Sequence, residues 1–158
     1  MPKTQTSAVK LDENLVAQNV KELIELLDVS ATAEISKIDN TYFVDVSSKD
    51  SSLLIGKLGA NLESLQFVLA VRLKSQTKND DFEVFLDIDG WRKQKEQRLE
   101  KMADSIAQRV EETGKEEILY NLKPSERRVI HAYLTNHPAV TTISEGEGDA
   151  RYLIIKPK

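Results

Sequence analysis

Apolar positions along this chain recur with two periods, and the alternation of those periods lays out its elements. From Asp12, placed to act as an N-cap, Val16, Val20, Leu23 and Leu27 follow at spacings of four, three and four, the mark of an amphipathic helix. Two short strands are predicted next, over 33–37 and 41–47, split by the turn-forming pair Asp39-Asn40. A helical turn at Ser51–Ile55 leads into Gly56-Lys57-Leu58-Gly59, and a helix over 60–74 presents Leu62, Leu65, Leu69 and Leu73. After a polar loop over 75–81, Phe82, Val84, Leu86 and Ile88 alternate with Glu83, Phe85 and Asp87, which predicts a strand with one buried face.

The second half repeats the alternation with different elements. Asp89-Gly90 breaks the strand and can cap a helix over 91–112, whose stripe is Leu99, Met102, Ile106 and Val110 and which ends at Gly114. Trp91, at its start, reads as a packing anchor between domains. A strand over 117–122 is expected to bury Ile118, Tyr120 and Leu122. Pro124 stands at a first helical position, and the helix over 125–136 turns Val129, Ile130, Tyr133 and Leu134 to one arc before stopping at His137-Pro138. Strands over 139–144 and 151–156 flank the loop 145–150. The expected division is a polar tail over 1–10, one domain over 11–90 and another over 91–158.

Composition narrows the function. At 158 residues the chain suits one ordinary domain or two small ones. It has no cysteine, which removes disulfides, thiol nucleophiles and cysteine metal sites. The first residues lack an apolar signal core and no apolar run reaches spanning length, so a cytoplasmic protein without membrane insertion is expected. Net charge is −4, but Lys+Arg against Asp+Glu is 5 to 9 over 1–50, 4 to 6 over 51–90 and 13 to 11 over 91–158. The C-terminal part is mildly basic, and no stretch is dense enough in cations for tight, sequence-blind nucleic-acid binding.

Two motifs carry chemistry. Gly56-x-x-Gly59 between two helices lets backbone approach a nucleic-acid strand, as in the KH module that clamps about four single-stranded nucleotides. Lys57 adds a charge where a phosphate would sit. On the later helix Arg127 and His131 lie about 40° apart around the axis, one turn removed. Arg128 follows Arg127, Lys123 precedes the helix, and by spacing alone a solvated polar face explains them. His131 and His137 are six apart and make a poor metal pair. Asp87 and Asp89 read as strand-end caps more readily than as a metal site. Gly146-x-Gly148 lies between strands and reads as a hairpin loop. No cofactor or catalysis is expected.

Arg127-x-x-x-His131 followed by Thr142-x-Ser144-x-Gly146-x-Gly148-x-x-Arg151 resembles the Arg-x-x-x-His single-strand nucleic-acid-binding domain. Leu54-Ile55-Gly56-Lys57-x-Gly59, Leu62, Leu65-Gln66 and then Asp87-x-Asp89-x-Trp91-Arg92 resemble the KH domain that accompanies it. Together, over residues 11–158, they are similar to the bacterial Jag family, also called SpoIIIJ-associated or KhpB-like. The resemblance implies an α+β chain: a type II KH domain, then a small α/β domain with a three-stranded sheet and two helices. It implies a non-enzymatic, cytoplasmic binder of single-stranded RNA, or of single-stranded DNA, acting as a post-transcriptional regulator or RNA chaperone linked to cell shape, elongation and division. The implied contacts are Gly56, Lys57, Leu58, Gly59, Lys123, Arg127, Arg128, His131 and Arg151, with a small single-KH protein or a second copy as protein partner. Leu58 stands where such loops usually carry a second basic or polar residue, which predicts a weaker phosphate grip. The further N-terminal Jag domain of many members is expected to be missing. The rival classes are a protein–protein adaptor with a degenerate KH fold and, more remotely, a metal-dependent nuclease.

Overall fold

The computed structural model describes residues 10–158; most of the expected N-terminal tail lies outside them. The chain is mixed α/β and divides into two compact units, the first ending at Arg92 and the second running from Lys93 to Lys158.

The first unit comprises α1 (Glu13–Leu26), β1 (Ala31–Ile38), β2 (Thr41–Ser48), α2 (Ser51–Ile55), a 3-10 turn at Lys57–Gly59, α3 (Ala60–Thr77) and β3 (Glu83–Ile88). Asp12 caps α1, its carboxylate accepting from the Leu15 amide at 2.9 Å. β2 is the central strand, antiparallel to β1 and parallel to β3. Every second residue of β2 and β3 turns inward, so Tyr42, Val44, Val46, Val84, Leu86 and Ile88 meet Val16 and Val20 of α1 and Leu62, Leu69 and Leu73 of α3. An ion pair between Arg72 and Glu22 also joins the two helices. α3 runs three residues beyond the pattern that predicts it. Polar Gln76 accepts from Asn19 at 3.0 Å, and Thr77 bonds back to the Leu73 carbonyl at 2.8 Å, which keeps those residues helical.

The second unit contains α4 (Trp91–Thr113) from Lys93 onward, β4 (Glu117–Leu119), α5 (Pro124–Leu134), β5 (Val140–Glu145), a 3-10 turn at Gly148–Ala150 and β6 (Tyr152–Pro157). The sheet order is β4-β6-β5, antiparallel throughout. α4 and α5 cover one face, where Ala103, Ile106, Ala107, Val110, Ile130 and Leu134 pack on Val140, Leu153 and Ile155.

Two expectations fail here. β4 stops at Leu119, and Ile118 and Tyr120 lie on the exposed side, 40% and 61% accessible. Leu119 is the residue aligned with Leu153 on the helix side, and Asn121, at φ +58, turns the chain so that Leu122 returns to the same core. A left-handed residue interrupts the two-residue period, and alternation across it assigns the wrong face. On α5, Tyr133 is exposed and bonds to Asp104 at 2.9 Å, while Glu126 is buried. Trp91 packs against the first unit's core, with its indole against Gly59.

Candidate nucleic-acid interface

The Gly-x-x-Gly turn is built from three constraints. Gly56 has φ +68 and ψ −174, a region essentially reserved for glycine. A Cβ there would lie 2.5 Å from the side chain of Asn61, whose amide donates to the Leu53 carbonyl at 2.8 Å and ties α3 back to α2. Gly59, at φ +84, lies under the Trp91 ring, where a Cβ would come within 2.1 Å of the indole. Between them Lys57 and Leu58 are exposed, Leu58 in left-handed backbone at φ +54.

α3 starts directly from this turn, and Gly59 supplies no side-chain cap. The uncapped first turn of a helix and the Lys57 ammonium favour an anion. Beside it runs an apolar groove lined by Leu27, Leu53, Leu54, Asn61, Ser64 and Leu65. The open face of the first sheet has the opposite character. Glu34, Asp45 and Asp87 lie in one row across its three strands, which repels phosphate from that face. Asp87 also has a structural task, its carboxylate accepting from the amides of Ile88 at 2.9 Å and Arg92 at 3.2 Å. Arg92 then lies over the Phe85 ring at 4.5 Å and donates to Gln66 at 2.8 Å. Among the described residues, no three His, Asp or Glu side chains gather as a metal site.

In the second unit Arg127 and His131 are each held by a different kind of partner. Arg127 donates through Nη1 to the Leu122 carbonyl at 2.5 Å and the Arg151 carbonyl at 3.4 Å. A guanidinium has five N–H donors, so Nε and Nη2 are left for a ligand. Nδ1 of His131 lies 2.5 Å from the Thr142 hydroxyl, leaving Nε2 for a ligand. Thr142 is buried, so its grip fixes the exposed imidazole in orientation. Arg151 donates through Nε to the Ser144 hydroxyl at 2.9 Å. Thus α5, β5 and the approach to β6 carry two hydrogen-bonded groups, Arg127 with Arg151 and Ser144, and His131 with Thr142. The positions of Thr142 and Ser144 are visible in the motif; their tasks as holders of the histidine and arginine are not.

Arg128 is separate from both groups. It is exposed beside Glu96, Glu100, Ser125 and Val129, on the α4 side of α5. Lys123 immediately precedes α5, and its amide donates to Glu126 at 2.8 Å. Glu126 also meets the Lys95 ammonium at 2.7 Å. Burial alone would raise the Glu126 pKa, but the bond from Lys95, the Lys123 amide and the charges of both lysines outweigh it and hold it below the usual value. The carboxylate therefore anchors the start of α5 at neutral pH, and that contribution is lost as pH falls through the lowered pKa.

Residues 97–157, which hold the arginine–histidine set, match the R-3-H domain family. Over 154 residues the chain is 32% identical to the RNA-binding protein KhpB of Clostridium symbiosum, covering 94% of this chain and 69% of that protein. It is 30% identical over 133 residues to the protein of the same name from Lactiplantibacillus plantarum, covering 84% of this chain but 41% of the relative. The Bacillus subtilis protein of that name is 28% identical over 145 residues, 88% of this chain and 67% of the relative. The chain belongs to the KhpB family. Among the described residues no helix is long and apolar enough to cross a membrane.

Proposed function

We propose that this protein binds single-stranded RNA at two surfaces without catalysing a reaction, and that it acts in the cytoplasm as a post-transcriptional regulator or RNA chaperone linked to cell elongation and division. The observation that carries the reading is the Arg127–His131 pair, each held to backbone or a buried hydroxyl with donors left outward, within the stretch that matches the R-3-H family. The names of the relatives, all RNA-binding protein KhpB, point the same way. The first unit reads as a type II KH domain. Its order of helix, strand, strand, helix, helix and strand, with the Gly-x-x-Gly turn between the paired helices, supports that assignment. In this reading Gly56, Lys57, Leu58 and Gly59 position the backbone, bases lie in the groove beside α3, and Arg127, His131, Lys123 and Arg151 contact phosphate or base. Arg128, beside two carboxylates, contributes less. Two joined sites raise the effective affinity although neither is strongly basic.

Arginine and histidine are separated by substitution. Arg127→Ala is expected to weaken binding of a short oligouridylate and to reduce the salt slope by about 0.7 for each lost phosphate contact. His131→Gln removes the imidazole that Thr142 holds and should weaken binding of the same oligonucleotide. Fluorescence anisotropy across a salt series reads both. Unchanged affinity in Arg127→Ala would remove this surface from the reading.

The protein partner has its own supporting observation. α3 buries Leu62, Leu69 and Leu73 yet also exposes Phe67, Val68 and Val71, flanked by the small Ala60, Ser64 and Ser75. That second stripe is symmetric about its middle: 60 pairs with 75, 64 with 71 and 67 with 68. An antiparallel two-fold contact makes such a surface self-complementary. A second copy, or a small single-KH protein with the same stripe, fits it. Phe67→Glu should convert a sedimenting dimer to monomer; a monomeric wild type would exclude the second copy.

A further inference from the structure

The second unit's open sheet face carries an ordered surface that the RNA reading does not use. Across it run three registered rows. The middle row is Ile143, Ile154 and Ile118, with Ile154 itself buried; one flanking row is Glu145 and Tyr152, with Tyr120 against Tyr152, and the other is Thr141 and Lys156. Ile118, Tyr120 and Ile143 are exposed, and the Tyr120 and Tyr152 rings meet at 5.5 Å between centroids, tilted by 48°. The Tyr152 hydroxyl donates to Glu145 at 3.3 Å. Its pKa is raised by burial first, then by Glu145 and the neighbouring Tyr120 and Glu116. Arg127, His131 and Arg151 belong to the other side of the same sheet.

We infer that this face docks a partner protein through an extended segment that carries an aliphatic and a cationic side chain two residues apart, both turned to the sheet. The isoleucine row offers dispersion contacts and no hydrogen bonds, so it suits aliphatic side chains and not base edges. The tyrosine row joins two π faces to a carboxylate, which attracts a guanidinium or ammonium. Glu147 and Asp149 follow in the adjoining loop, and Lys156 is the one cation in the three rows. Phosphate meets net repulsion at the tyrosine end. The charge pattern therefore selects a basic peptide over a nucleic acid.

The test uses the full chain labelled at isoleucine δ1 methyls, at physiological salt. The probes are an octapeptide of repeating Leu-Ser-Arg-Ser, its Leu-Ser-Glu-Ser counterpart and an octauridylate. The arginine peptide should shift the Ile118, Ile143 and Ile154 methyls and saturate, whereas the other two leave them in place. Glu145→Lys and Tyr120→Ala, both at exposed positions, should each weaken the arginine peptide by roughly tenfold. Unmoved methyls overturn the inference. Equal response to the glutamate peptide would make the surface an indifferent apolar patch, and a response to octauridylate would make it an RNA face; either result also overturns it.

Discussion

Gly59→Ala is expected to destabilise the first unit by about 3 kcal/mol, the sum of left-handed backbone strain and overpacking. At φ +84 an L side chain is strained whatever surrounds it, and here the new methyl enters the space of the Trp91 indole. Trp91 is the chain's single tryptophan, so its emission reports on this turn directly. Urea unfolding followed by circular dichroism gives the stability change, and fluorescence gives the displacement of the ring. In a Trp91→Leu background the same glycine substitution should cost only the backbone share, about 1–2 kcal/mol. Strictly additive losses would mean that the ring and the glycine are not in conflict, and that φ alone sets the cost.

The second large effect is on binding and should leave the fold alone. Replacing Lys57 and Leu58 together by aspartate puts two negative charges where phosphate is proposed to approach α3. Both side chains are exposed, and aspartate tolerates the left-handed backbone at position 58 better than leucine does. The circular dichroism spectrum and urea midpoint should therefore stay near wild type while affinity for single-stranded RNA falls at least tenfold, roughly 1.4 kcal/mol or more. Unchanged affinity would exclude this turn as a contact surface. Loss of affinity in this variant with retention in Arg127→Ala, or the reverse, would rank the two surfaces.

Much of this architecture is legible in the residues because its local and long-range demands coincide. Asp12 caps the helix it precedes, the alternation from Val84 to Ile88 matches a sheet with one covered face, and Pro124 begins its helix. The readings fail where a residue answers to a neighbour distant in sequence. Polar Gln76 stays helical because Asn19 meets it, and Tyr133 turns outward, where Asp104 accepts from its hydroxyl. Arg127 and Arg128 look equivalent in sequence. One reaches the carbonyls of Leu122 and Arg151, and the other lies beside Glu96 and Glu100.

The sequence by itself determined the order of elements, the two glycines at the turn and the arginine and histidine one helical turn apart. Each of these follows from spacing along a single segment, where backbone geometry converts residue number directly into direction. Tertiary structure alone decided why Gly59 must lack a side chain, which hydroxyl holds His131 and which face of β4 meets water. Each of those depends on an atom brought close by packing: the Trp91 ring, the Thr142 oxygen and the Leu153 side chain. A periodic pattern records that a face is buried; it carries no record of what buries it.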